Sequence, residues 1–210
     1  MGTIALLGDS IFDNKVYIGD EPDVASHLKS IVSEDWNVNL LAVDGSTAQM
    51  VTSQADKITS DVTHLILSVG GNDALSNADV LSMPASSAAQ VLNELARRAA
   101  EFSDRYEAVL DQLLSKQLPV AVCTIYYPNF PEPELQRVAS TALCVFNDVI
   151  FREAVRRGFP VIDLRLVCDK TSDYANEIEP SGSGGGKIAN VIYKLVREHD
   201  FSKQRTEVYC

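Results

Sequence analysis

Five short stretches of the chain are apolar almost without interruption: "TIALLG" from Thr3 to Gly8, "VNLLAV" from Val38 to Val43, "HLILSVG" from His64 to Gly70, "PVAVCTIY" from Pro119 to Tyr126 and "PVIDL" from Pro160 to Leu164. A strand with one wet face alternates apolar and polar residues. A nearly continuous run marks a strand covered on both faces, as in a parallel sheet. Between the runs, apolar residues recur at helical spacing over Asp23 to Val32, Thr47 to Ile58, Ala88 to Gln117, Pro133 to Arg157 and Gly186 to His199. Ser46 or Thr47 is placed to cap the second of these helices, and Gly158 to terminate the fourth. Strand and helix alternate five times, which predicts a doubly wound, three-layer α/β/α sandwich, read as a single domain over residues 1–210. Such sheets bind ligands beyond the carboxyl ends of their strands. The residues that follow each apolar run are therefore the candidates for chemistry.

Composition narrows the partners. The chain has 210 residues and a formal net charge of -11, a field that repels phosphate backbones and argues against a nucleic-acid partner. No apolar run reaches the length of a membrane span. The opening "MGTIALLGDS" lacks a basic stretch and a cleavage site and reads as a first strand, and Leu6 breaks the myristoylation pattern. The expectation is a cytoplasmic, reduced protein. Cys123 and Cys144 fall in an apolar run and a helical pattern and read as core filler; with Cys168 and Cys210 they form no C-x-x-C pair, so neither a zinc site nor any other metal or cofactor is expected. "GGGK" lacks the spacing of a phosphate-binding loop.

Three strand ends carry a consistent chemistry. After the first comes "GDSIFDN", Gly8 to Asn14, where Ser10 offers a hydroxyl and a backbone N–H in the crevice. After the second comes "DGST", where Gly45 offers a bare N–H; after the third comes "GGND", where Asn72 offers a side-chain amide. Each motif alone is a common turn. Brought together, a hydroxyl nucleophile and three donors (Ser10 N–H, Gly45 N–H, Asn72 amide) have the composition of an oxyanion hole for acyl transfer. Each such donor stabilises a transition state by roughly 3 kcal/mol. Asp9, Asp13 and Asp73 flank these groups as possible supporting residues.

In this ordered set the chain resembles the SGNH, or GDSL, hydrolase family, through Ser10 in "GDS", Gly45 in "DGST" and Asn72 in "GGND". The segment "EPSGSGGGKIA" resembles the family's last block, of the form D-x-x-H-P-S followed by a glycine and a final helix. The resemblance runs from the first strand to the last helix. It implies a flavodoxin-like sandwich with a five-stranded parallel sheet of order 2-1-3-4-5. It also implies hydrolysis of carboxylic esters, with a small-molecule ester as the partner.

The last block departs from the family. The residue before Pro180-Ser181 is Glu179, where the family has the histidine that deprotonates the serine, and Asn176 stands where the family has the orienting aspartate. The chain's three histidines are remote in the pattern: His27 lies in the first helix, His64 starts the third strand and His199 follows the last helix. A carboxylate is thus the candidate base. Glutamate ordinarily titrates near ~4.3, too low for an efficient base at neutral pH. Burial, or neighbours such as Glu177, Asp173, Asp9 or Asp13, would raise it. Three readings follow: a serine hydrolase with Ser10 as nucleophile and Glu179 as base; an impaired pseudoenzyme that binds an acylated ligand or partner; and a flavodoxin-like module unrelated to esters. The loop "YYPNFPEPE", Tyr126 to Glu134, reads either as a wall of an acyl or aromatic pocket or as a plain connection.

Overall fold

The computed structural model describes residues 2–210. Six parallel strands form one sheet: β1 (Gly2–Gly8), β2 (Trp36–Leu40), β3 (His64–Ser68), β4 (Val120–Cys123), β5 (Val161–Ile162) and β6 (Val208–Tyr209), in the order β2-β1-β3-β4-β5-β6. The helices are α1 (Lys15–Ile18), α2 (Val24–Ile31), α3 (Val51–Ala55), α4 (Gly71–Leu75), α5 (Ala88–Ser115), α6 (Pro133–Arg157), α7 (Leu164–Val167) and α8 (Gly182–Glu198). Alternate residues of each strand serve opposite faces. Ile4, Leu6 and Ile66 meet α2, α7 and α8 on one side, whereas Ala5, Leu7, Leu65 and Leu67 meet α3, α5 and α6 on the other. All seven residues of β1 are buried, which is why its sequence shows no polar alternation.

The three-layer sandwich and the order of the first five strands agree with expectation. The sheet has six strands rather than five, because the chain end returns beside β5: Val161 N–H donates to Glu207 O at 2.8 Å and Asp163 N–H to Tyr209 O at 2.9 Å. A two-residue strand carries no readable period. The Thr47 to Ile58 stretch is a 3₁₀ turn, Ala48–Met50, running into the five-residue α3. Cys144 is exposed on α6 instead of filling the core. Arg98 on α5 is buried, and it joins Asp79, Glu94 and the carbonyl of Asn77, anchoring the 3₁₀ segment Ala78–Ser82. Among the described residues no helix is long and apolar enough to cross a membrane.

Helix α8 starts four residues earlier than its apolar pattern, inside "SGSGGG". Ser181 caps it by accepting from Gly184 N–H, and Glu21 Oε2 accepts from Gly182 N–H at 2.8 Å. The glycines allow this first turn to sit against backbone. A Cβ on Gly184 would stand 2.2 Å from the carbonyl oxygen of Asp173. Gly184→Ala is expected to destabilise by roughly 1–3 kcal/mol through overpacking. Gly186→Ala, whose Cβ would meet His27 at an ordinary 3.4 Å, is expected to be neutral or to gain up to about 1 kcal/mol from helix propensity. Urea denaturation of the two variants beside the parent checks the contrast.

Candidate active site

The turn after β1 is fixed on every side. Gly8 has φ +129°, and a Cβ there would fall 1.7 Å from Ser68 O, so only glycine lets β1 and β3 close up at this point. The buried Gln54 side chain bonds both the N–H and the C=O of Gly8, each at 2.8 Å. Asp9 N–H donates to Ser68 O, and Asp9 O in turn accepts from the N–H groups of Phe12 and Asp13. Ser10 sits in this turn, buried, with its Oγ donating to Glu179 Oε1 at 2.9 Å. The two residues are 169 positions apart in the chain.

Glu179 is held from both sides by its neighbours' backbone. Asn176 Oδ1 accepts from Ile178 N–H and Glu179 N–H, both at 2.9 Å. The Tyr126 hydroxyl donates to Ile178 O, and Asn14 Nδ2 donates to Pro180 O at 3.0 Å. Ala175 N–H closes the loop on Glu179 O. Glu179 is 5% exposed, and its Oε2 is buried without a hydrogen-bond partner. Burial pushes this carboxyl up to about 7; the Ser10 hydrogen bond opposes the shift and the charge of Asp44 adds to it. Of the neighbours named from the sequence as able to raise it, Asp173 is engaged elsewhere: its Oδ2 accepts from Asp169 N–H, Lys170 N–H and Lys187 Nζ.

The oxyanion-hole candidates come from loops tied to this turn. Val43 N–H donates to Gly8 O, Asp44 N–H to Asp13 Oδ2 at 2.9 Å, and Tyr17 OH to Asp44 Oδ2 at 2.8 Å. Asn72 Nδ2 reaches Ser46 O at 3.1 Å, and Asp73 Oδ2 accepts from Ala48 N–H at 2.8 Å. These bonds tie the segments that follow β1, β2 and β3 to one another. Among the described residues neither Ser10 N–H nor Gly45 N–H has a protein acceptor. Asn72 keeps a second amide hydrogen after its bond to Ser46.

A cavity of about 510 Å³ is lined by Asp9, Ser10, Asn72 and Glu179 and otherwise mostly by apolar groups. Gly45 lies outside its lining, exposed. The walls include Leu75 and Val80 beyond β3, Phe130 in the loop after β4, and Ala139, Leu143 and Phe146 on α6. The loop after β4 is therefore a wall, through Tyr126, Pro128 and Phe130. No histidine lines the cavity: His64 packs between the rings of Trp36 and Phe201, His199 pairs with Glu207, and His27 packs against Gly185 and Gly186. Asn14 and Gln54 were invisible as site residues in the sequence, and Tyr126 was read there only within a candidate pocket wall, not as a support for the Glu179 loop. Only the polarity of Asn14 and Gln54 at buried positions could have flagged them. Among the described residues no cluster of three His, Cys, Asp or Glu side chains could hold a metal ion.

The model of the GDSL-like lipase/acylhydrolase family matches residues 6–184, and the chain belongs to that family of hydrolases. No curated protein sequence matches it. Solved structures of like fold include a phospholipase A1 from Streptomyces albidoflavus, 19% identical with a TM-score of 0.68, covering 92% of this chain and 98% of that one. A lipase from a goat rumen metagenome is 17% identical with a TM-score of 0.70, covering 92% and 97%. The aryl esterase of M. smegmatis is 13% identical with a TM-score of 0.67, covering 94% and 99%. At such identities the likeness establishes the shared fold.

The raised carboxyl has a consequence for stability. Folded Glu179 keeps its proton up to about pH 7, whereas the unfolded chain releases it near ~4.3. Between these values the folded state binds more protons, so this contribution to stability is full below about pH 4 and is lost as pH rises through about 7. Glu179→Gln cannot ionise. Its melting temperature relative to the parent is expected to be higher by several degrees at pH 8 than at pH 5, as measured by scanning fluorimetry at both pH values.

Proposed function

We propose that the protein hydrolyses carboxylic esters with Ser10 as nucleophile and Glu179 as general base. The Oγ–H donates to Glu179 Oε1 at 2.9 Å, and this one contact carries the reading. As Oγ attacks the ester carbonyl, its proton passes to Glu179. The oxyanion is met by Ser10 N–H, Gly45 N–H and the free Asn72 amide hydrogen. Collapse expels the alkoxide, which takes the proton from Glu179 and leaves an acyl-serine. A water then repeats the sequence, giving its proton to Glu179 and releasing the acid. The base is serviceable because burial moves it to about 7, next to the pH at which it works. Asn176, Asn14 and Tyr126 fix the loop that carries it, whereas Asp13 and Asp73 fix the loops that carry the donors.

The cavity supports an apolar acyl group as the part of the substrate bound beside Ser10. The similar structures are a phospholipase A1, a lipase and an aryl esterase. Here the lining of Leu75, Val80, Phe130, Leu143 and Phe146 fits an alkyl chain.

Turnover of model esters tests this. On p-nitrophenyl esters, Ser10→Ala is expected to remove turnover, and Glu179→Gln to lower kcat by about 10²–10⁴. The parent's kcat/KM should rise with pH to half its plateau near 7, since the base works ionised. Turnover unchanged in Ser10→Ala would sink the reading, and an ester bound but recovered intact would point to a binding protein. Along a ladder of acyl lengths, kcat/KM is expected to grow by up to about fourfold per methylene until the cavity is filled. Ala139→Phe, which puts a ring into the wall, should move that optimum to shorter acyl chains.

A further inference from the structure

The apolar wall of the cavity does not stop at its mouth. Leu75 and Leu135 both line the cavity and are exposed, so the lining runs out onto the molecular surface. Two further exposed apolar side chains extend it. Leu92 stands three residues before the lining residue Leu95 on α5, and Val138 stands between the lining residues Leu135 and Ala142 on α6. Residues three or four apart share a helix face, which sets Leu92 and Val138 beside the lining. Both belong to the opening turns of their helices, and α5 and α6 follow β3 and β4, so these turns lie at the carboxyl end of the sheet with Ser10. Leu92 is 65% exposed. Single exposed leucines are common; several around one opening that leads to an alkyl-lined cavity form a continuous apolar face.

The same face is nearly free of charge. Residues 74–93 run from the end of α4 into α5 and include one charged side chain, Asp79, where a content of 22% would place four or five. That charge is neutralised: Arg98 Nη2 donates to Asp79 Oδ2 at 2.9 Å, and Arg98 Nη1 donates to Asn77 O at 2.8 Å. Across the mouth, residues 124–131 carry no charged side chain, and Pro128 and Phe130 of that loop line the cavity. Serine, asparagine and glutamine supply much of the polarity of residues 74–93, and neutral groups leave water at far less cost than ions. Charge resumes at the edge, with Glu94 and Arg97 on α5 and Glu134 and Arg137 on α6.

We propose that this face seats on a lipid surface without net charge, the cavity mouth turned toward the acyl chains of the aggregate. This rests on the reading of the cavity as the acyl site. An ester whose alkyl chain fills about 510 Å³ gathers in aggregates instead of dissolving, so the phase that covers the face also supplies the chain that enters the cavity. Charge selects the surface. The net charge of -11 repels an anionic one, and the cation of this face, Arg98, is buried and already paired.

The test is sedimentation with vesicles of ether-linked phosphatidylcholine, whose chains no esterase can release. The parent is expected to bind them, and to bind phosphatidylglycerol vesicles more weakly. The double variant Leu92→Gln with Val138→Gln is expected to lose about tenfold in partitioning, the scale of burying one leucine. Val155→Gln, which removes an exposed valine near the far end of α6, should bind as the parent does. All three proteins should share one kcat/KM on dissolved p-nitrophenyl acetate, since none of the substituted residues lines the cavity. No binding to phosphatidylcholine, stronger binding to the anionic vesicles, or equal binding by the double variant overturns the proposal. So does a dimer in lipid-free solution that the double variant breaks, which would assign the face to a second copy of the chain. Vesicle binding lost in the double variant of a chain that turns over no ester keeps the lipid surface and strikes the hydrolytic reading instead.

Discussion

Everything at this site turns on one buried hydrogen bond, from Ser10 Oγ to Glu179 Oε1 at 2.9 Å. It joins the first strand end to the loop before the last helix and lies where water is scarce. A carboxylate in water would be too weak a base for a hydroxyl. Removing it from water raises its affinity for a proton, and burial is the largest cause of the shift to about 7. In the proposed reaction, desolvation thus does for a glutamate what the intrinsic chemistry of imidazole does for a histidine. The cost is a carboxyl that weakens the fold when it ionises. The surrounding polar bonds offset this by leaving the loop little freedom: Asn176 caps it from within, Asn14 holds Pro180, and Tyr126 holds Ile178.

The rest of the fold reads as support for that contact. β1 is buried along its whole length and paired on both sides, so the turn that carries Ser10 starts from an immobile element. Gly8 lets that turn press against Ser68, and Gln54 clamps it. At the other end, the glycines of α8 bring the helix against the backbone of Asp173, whose carboxylate pairs with Lys187. The loop with Glu179 spans Asp173 and α8 and inherits their rigidity. The Tyr174–Pro180 bridge closes it.

Much of this was legible in the sequence, for a physical reason. Strands buried on both faces leave continuous apolar runs, and long helices leave a strong period, so the sandwich and the bounds of α6 could be read directly. Ser10, Asn72 and Glu179 were legible because strand ends of a doubly wound sheet converge, and the structure does gather these three around one cavity. Gly45 was placed on a neighbouring loop, although it stays outside the cavity lining. What escaped were features that depend on tertiary contact alone. The sixth strand is too short for a period. The start of α8 lies among glycines that disfavour helix, and is set by packing against Glu21 and Asp173. Asn14 and Tyr126 support Glu179 across 166 and 52 positions respectively (Asn14 to Pro180, Tyr126 to Ile178), separations that no local pattern encodes.

The most direct test of the central claim is the rate at which Ser10 reacts with a small fluorophosphonate as a function of pH, in the parent and in Glu179→Gln. This reaction needs the nucleophile and its base, and no knowledge of the natural ester. The account predicts a labelling rate that rises with pH through about 7 in the parent. In Glu179→Gln that limb should vanish, with a rate lower by about 10²–10⁴. Equal labelling of the two proteins at every pH, or a parent whose Ser10 does not react, would contradict it.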